Sequence, residues 1–191
     1  STRQRKLFLV PRAGDMIRIR NIRMKTASTL LLILAALAAA AVAAFLLAGP
    51  ARVWRVFGDP DLGPVVFETL QRRTTPNDAL ACPPAMCAAA VDIISPRFAV
   101  SAADLRLAFA RVMATEERIE TVSRNDATLE DRYIQRSRLM GFPDTLNVKV
   151  IDLGGGQSGI ALYSRSQLGK SDLGVNKARL ERLLAKLTQN V

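Results

Sequence analysis

The hydrophobic and polar positions divide the chain into stretches of different period. Residues 27–48 (ASTLLLILAALAAAAVAAFLLA) hold no charge over more than 20 residues. At about 1.5 Å per helical residue such a run crosses a bilayer core of roughly 30 Å, so it predicts a transmembrane helix. A basic segment, 1–26, precedes it, and an interfacial linker, 49–60, follows, in which Arg52, Trp54, Arg55 and Phe57 mix aromatic and cationic side chains. Residues 58–96 are punctuated by Pro60, Pro64, Pro76, Pro83, Pro84 and Pro96 and read as an ordered arm rather than a flexible linker. One short helix is predicted there, over 65–73, with Pro64 at its start.

From Ser101 the pattern becomes regular. Ser101 and Asp104 resemble a capping box, and Leu105, Ala108, Phe109, Val112 and Met113 recur at helical spacing. Four strands follow, over 118–123, 129–139, 146–153 and 159–168, separated by turn residues at Asn125 and Asp126, 141–144 and 154–156. A closing helix over 173–187 has a stripe of Leu173, Leu180, Leu183, Leu184 and Leu187. The sum is an α+β fold: a two-layer domain over 61–191, with an antiparallel sheet of about four strands packed by helices. Within it, 61–100 is the Pro-rich arm and 101–191 the compact core.

Strand parity assigns two faces. Leu129, Tyr133, Ser137, Leu139, Leu146, Val148, Val150, Ile160, Leu162, Ser164 and Ser166 fall on positions that face the helices. Arg132, Arg136, Arg138, Lys149, Tyr163 and Arg165 collect on the other side. A solvated outer face is the ordinary reading of such a sheet. The sharper reading is a docking surface for an acidic partner or an anionic lipid head group, since guanidinium forks match carboxylate and phosphate.

Charge supports membrane topology rather than nucleic-acid binding. Of the formal +10, residues 1–25 carry eight Lys/Arg and one Asp, which leaves +3 on the rest of the chain. Arg18, Arg20, Arg23 and Lys25 stand just before the apolar run, with Arg3, Arg5, Lys6 and Arg12 further back, and place the N-terminus in the cytoplasm. A cleaved signal peptide, starting at Met16 or Met24, is the rival reading. Its apolar region is usually about 7–15 residues, shorter than the run seen here.

The chain contains no histidine, which removes Ser-His-Asp and Cys-His catalysis and every His-containing zinc site. Cys82 and Cys87 are too few for structural zinc and lack C-x-x-C spacing. In an oxidising compartment a disulfide between them is the natural reading, and closing so short a loop stabilises by about 2 kcal/mol. In a reducing compartment they are two small buried hydrophobes. No cofactor and no metal is expected.

Gly169-Lys170-Ser171 lies between a strand and a helix and invites comparison with a phosphate-binding loop, but Ser164 stands where a Walker A glycine is required. Ser171 or Asp172 serves better as a cap for the last helix, with Gly169 and Gly174 permitting the turn.

The strings TPNDALACPPAMC, RSRLMGFPDTLNVKV and YSRSQLGKSDLGVNKARLERLL resemble the bacterial and plastid family known as domain of unknown function 1499, over roughly residues 61–187. The resemblance implies motif positions at Ser137, Phe142, Pro143 and Asp144, and at Ser164, Arg165, Ser166, Gly169, Ser171, Asp172, Gly174, Asn176 and Arg179. Cys82 and Cys87 fit the form of many proteobacterial members. The resemblance supplies a domain extent and no mechanism. The expected setting is a bacterial inner membrane, with the C-terminal domain in the periplasm. The expected function is a non-enzymatic accessory or assembly subunit docking on a larger respiratory or photosynthetic membrane complex. The alternative is a periplasmic lipid or small-ligand binding or processing domain. Catalysis would have to run through Ser164, Ser166 or Ser171 with Lys170, Asp172 or Asp144, and serines beside turns ordinarily bond backbone.

Overall fold

A computed structural model describes residues 13–191, with side chains from Met24 onward. The cationic positions Arg3, Arg5, Lys6 and Arg12, and the side chains of Arg18, Arg20 and Arg23, lie outside the described residues. The chain separates into two units at Gly49 and Pro50. The first contains helix α1 (Ala13–Ala48), whose Met24–Ala48 stretch of 25 residues is long and apolar enough to cross a membrane. At 1.5 Å per residue that stretch measures about 37 Å, and its leucines are exposed.

The second unit opens with a short helix, α2 (Pro50–Trp54), and a 3-10 turn over Arg55–Phe57. Strands β1 (Asp78–Cys82) and β2 (Ile93–Ile94) come next, then helix α3 (Ala102–Ala114). The meander β3 (Ile119–Asn125), β4 (Glu130–Arg136), β5 (Pro143–Gly154) and β6 (Gln157–Ser166) leads into α4 (Val175–Gln189). All six strands form one sheet in the order β2-β1-β6-β5-β4-β3, antiparallel except for the β1–β2 edge. The α+β fold is as the sequence predicts, with six strands in place of about four.

The two additional strands come from the Pro-rich arm. Strand β1 pairs with β6 over Asp78↔Arg165 to Ala81↔Leu162, so the arm belongs to the same sheet as the segment that begins at Ser101. The helix expected over 65–73 is absent: one 3-10 turn, Phe67–Thr69, is flanked by extended Val66 and Leu70. Extension lets Phe67 and Leu70 reach the sheet while Arg72 reaches Asp78 and Asp92, at 2.6 and 2.7 Å. Thr75, ahead of Pro76, is further biased away from helix.

On one face, α3 and α4 bury Leu105, Phe109, Val112, Leu180, Leu183 and Leu187 against Tyr133, Leu146, Val148, Val150, Ile160 and Leu162, as parity predicts. The Ser101 hydroxyl accepts from Asp104 N at 3.2 Å and donates to the Asp104 carboxylate at 2.6 Å, which starts α3. On the other face Phe67, Leu70, Leu80, Cys82, Ala161 and Tyr163 form a second apolar cluster. Cys82 and Cys87 are joined in a disulfide that ties the end of β1 to this layer. The domain therefore has three layers, helices, sheet and arm, where the sequence suggests two.

Glu116, just past α3, accepts from Arg182 at 2.8 Å and Lys186 at 2.7 Å on α4 and from Gln135 at 3.0 Å on β4. Burial pushes its carboxyl up, but the three donors together outweigh that and hold it at about 2, against an ordinary 4.5. A carboxyl depressed by folding stabilises fully above the unfolded value and loses that contribution as pH falls through the folded one. Unfolding free energy measured against pH is expected to fall as pH drops from about 4.5 to 2. Glu116→Gln should lower stability at neutral pH and flatten that acid limb; an unchanged limb would remove Glu116 as its source.

Candidate functional site

Three segments distant in sequence meet at one end of the second unit. The first is the opening helix α2 with the 3-10 turn behind it. The second is the turn between β4 and β5, closed by Ser137, whose N donates to Phe142 O at 2.9 Å and whose Oγ accepts from Phe142 N at 3.0 Å. Gly141 sits in that turn at φ +66°, and a Cβ on it would lie 2.9 Å from Pro50 Cβ, so a side chain there would push the turn off α2. Trp54 fastens the two segments: its indole Nε1 donates to Met140 O at 2.6 Å, and its ring lies 4.5 Å from Phe142 and 6.0 Å from Phe57. The third segment is the connection from β6 to α4.

Between these segments lies a cleft of about 500 Å³. Its walls are apolar: Trp54, Phe57, Phe142, Leu168, Leu173 and Val175. At its base are the buried Asp144 and Ser166, paired across β5 and β6, with Ser137, Gly169, Ser171 and Asp172 around the margin. An apolar chamber with a few polar groups at one end is the usual form of a small-molecule site.

Behind the base runs a buried polar network. Arg179 of α4 donates through Nη2 to Asp144 at 2.6 Å and through Nη1 to Ser164 Oγ at 2.7 Å and Asn176 Oδ1 at 2.5 Å. Ser164 Oγ donates to Asn176 Oδ1 at 2.6 Å. Asn176 Nδ2 in turn donates to Ser166 Oγ at 3.0 Å and to Asn77 O at 3.2 Å, while Asn77 Nδ2 donates to Gly169 O at 2.7 Å. Ser164, Asn176, Arg179 and Asp144 are all buried. A buried charge is tolerated only when paired and hydrogen-bonded in this way.

Asp172 caps α4 from outside its first turn, accepting from Asn176 N at 2.9 Å and from Gly174 N at 3.0 Å, with Gly174 at φ 82°. Ser171 Oγ accepts only from Leu173 N, at 3.2 Å. The Ser164–Asn176 stretch thus fixes β6 to α4, and its Ser164, Ser166 and Ser171 hydroxyls bond Asn176, Arg179 and the Leu173 backbone. Among the described residues no group of His, Cys, Asp or Glu gathers to hold a metal ion.

The expected open basic face is corrected by the arm that covers it. Arg132 bonds Asp61 at 2.8 Å, and Lys149 bonds Glu68 at 2.6 Å and lies 3.4 Å from Glu130. Arg136 is 3.8 Å from Glu120. Arg165 donates to Leu62 O at 2.6 Å and Gly63 O at 2.8 Å, with its guanidinium 5.7 Å from the Tyr163 ring. Burial, with neighbouring Arg73 and Arg132, holds the Arg165 pKa below its ordinary value. Tyr163 is buried and donates to Asp78 at 2.5 Å; burial and that carboxylate push its hydroxyl up. Arg138 alone of these six is exposed, in the turn rather than in a strand, beside Leu139.

Phe57, Leu168, Leu173 and Val175 are not marked by sequence as one site, and Trp54 reads there only as part of an interfacial linker. Leu173, counted by sequence in the leucine stripe of a helix over 173–187, is corrected by the structure: α4 begins at Val175, and Leu173 lies in the turn before it, exposed.

Fold and site define an α+β domain with an apolar cleft above a buried polar joint, in a chain that also carries one membrane-length apolar helix. The chain belongs to the family described as "Protein of unknown function (DUF1499)", whose profile matches residues 66–187. No curated protein matches it. Among solved structures it is similar to one described as the di-domain ARO/CYC BexL from the BE-7585A biosynthetic pathway, with a TM-score of 0.39 and 10% identity. The alignment covers 59% of this chain and 45% of that one, under half its length, and is too partial to bear on function.

The joint yields graded stability losses. Asp144→Ala strands the Arg179 charge in the interior and should cost about 3–5 kcal/mol, whereas Asp172→Ala removes a cap and should cost about 1 kcal/mol. Chemical denaturation of the full chain compares them. Equal losses would mean that Asp144 and Arg179 do not form a buried joint.

Proposed function

We propose that this protein is a membrane-anchored binding domain that acts without catalysis and takes the apolar part of a small amphiphile, of the lipid class, into the cleft. The observation that carries the reading is the chamber itself: six apolar walls drawn from three segments, ending on Asp144 and Ser166, which offer a polar end for a head group. A rim charge or a hydroxyl fixes orientation while apolar contact supplies affinity. The accessory-subunit reading has less surface to use, because Arg132, Lys149 and Arg165 bond the arm, which leaves Arg138 exposed among the basic residues of that face.

The proposed setting is a bacterial inner membrane, with residues 27–48 as the anchor, the N-terminus cytoplasmic and residues 58–191 in the periplasm. The Lys/Arg excess before the span supports that orientation, and the Cys82–Cys87 disulfide suits an oxidising compartment. Reporter fusions after Val191 check it: a reporter active only in the periplasm should work, and one active only in the cytoplasm should stay silent. The reverse pattern would end this topology.

Ligand binding is tested by feeding cells that express the full chain a diazirine-bearing fatty acid, then irradiating and mapping adducts by mass spectrometry. Adducts are expected on peptides containing Phe142 and residues 168–175 as well as on the span. Val175→Trp fills the cleft from an exposed position and should remove the first set while sparing the second. Adducts confined to residues 27–48 would overturn the binding reading.

A further inference from the structure

The rim of the cleft carries large apolar side chains that no other part of the domain covers. Val56 is 83% exposed, Phe57 64%, Leu139 89%, Met140 42% and Leu173 94%. Leu173 is also held at φ 54°, a left-handed conformation that disfavours a side chain with a Cβ. Folding gains nothing from presenting a strained leucine to water. These residues come from three segments more than 100 residues apart at the extremes, yet those segments meet at one chamber: Phe57 and Leu173 line it, Met140 is fixed to Trp54 by the indole hydrogen bond, and Val56 and Leu139 are the chain neighbours of Phe57 and Met140.

Chain connectivity says what lies next to this rim. Pro50 is two residues beyond Ala48, the last residue of the membrane-length stretch, so their Cα atoms are within about 7 Å of one another. Pro50 is also the residue against which Gly141 closes, so the β4–β5 turn, with Leu139 and Met140, is built directly on the start of the domain. The end of a span in a bilayer is the head-group boundary. Arg52, Arg55, Arg138 and Lys170, all exposed, belong to the same three segments and match the phosphates of that boundary. Trp54, the only tryptophan, has the amphipathic ring that favours this depth.

We infer that the rim is a membrane-docking surface, in which Val56, Phe57, Leu139, Met140 and Leu173 enter the head-group and upper acyl region of the leaflet beside the span. The occupant of this apolar surface is the lipid bilayer. Where the cleft binds an amphiphile, as proposed above, that molecule then enters from the leaflet without crossing water; the docking itself does not depend on the cleft being filled.

The test uses the full chain in vesicles of phosphatidylethanolamine and phosphatidylglycerol. Single cysteines at Leu139→Cys and Leu173→Cys, both exposed positions that folding tolerates, carry a bimane label, and Cys82 and Cys87 are protected by their disulfide. Gln189→Cys, at the far end of the 15-residue α4 and so about 22 Å along the helix from Val175, is the reference. Docking predicts a blue-shifted emission at both rim labels, loss of intensity with nitroxide-labelled acyl chains, and shielding from iodide, none of which the reference shares. Rim labels as open to iodide as the reference and untouched by lipid nitroxide would overturn the inference. Labels shielded from iodide and from lipid nitroxide alike would overturn it too, in favour of a protein partner or a second copy. Cleft adducts with an undocked rim would leave the binding reading standing and this one refuted, so the two failures are distinguishable.

Discussion

A sheet with apolar side chains on both faces has to be covered twice, and that requirement organises the domain. Two helices cover one side with a leucine-rich stripe, as in any α+β layer. The other side has no helix to spend. It is covered by an irregular arm whose backbone makes one 3-10 turn and two short strands, and which is pinned by ion pairs and side chain-to-backbone bonds rather than by its own ladder. Asp61, Glu68 and Asp78 are its acidic anchors. They receive Arg132, Lys149 and Tyr163 from the sheet, with Arg72 closing on Asp78 from within the arm. The Asp78 carboxyl lies below its ordinary pKa because Arg72 and Tyr163 together outweigh the burial that raises it.

The polar joint between β6 and α4 solves a second problem, that of orienting a helix on a sheet with little apolar surface at its first turn. Asn176 bonds two elements at once and Arg179 spans from β6 to β5, so the start of α4 has one position in which every buried donor finds its acceptor. A network of this kind contributes more to uniqueness than to net stability, because each member would cost several kcal/mol if left alone in the interior. The result bears on the site directly. Asp144 and Ser166 are held by the joint and form the base of the cleft, so the polar end of the chamber is as rigid as the helix–sheet contact behind it.

The elements legible in the sequence are those whose side chains alternate between two environments. Helices α3 and α4 announce themselves by period, and β3 to β6 by parity, because each has a wetter side. Strand β1 does not: Ala79, Leu80, Ala81 and Cys82 are buried on both faces, so DALAC has no alternation to read, and alanine and aspartate disfavour strands in isolation. The segment after Pro64 misleads in the opposite sense, since Val65, Val66, Phe67 and Leu70 fit a helical face while serving as separate plugs for an already formed sheet. Parity places Arg132, Lys149 and Arg165 on the correct side, but no pattern in sequence shows that Asp61, Glu68 and the Leu62 and Gly63 carbonyls, some seventy to a hundred residues upstream, return to meet them. The polar half of the site was legible through the family resemblance. Its apolar half is a tertiary product, since Trp54, Phe142 and Leu168 share no period.

A soluble domain of this size ordinarily distributes exposed hydrophobic side chains singly over its surface. Here Val66, Ile94 and Leu107 are scattered in that way, but Val56, Phe57, Leu139, Met140 and Leu173 belong to the three segments that meet at the apolar chamber. Water would penalise that arrangement twice, once for the rim and once for the chamber, and an interfacial phase removes both penalties together. The tether explains why so small a patch suffices. On the proposal made above, a span ending two residues before Pro50 would supply the local concentration, so the rim would need to contribute only orientation. On that proposal, the span would set distance, the rim attitude, and the chamber between Trp54 and α4 would meet what the leaflet presents.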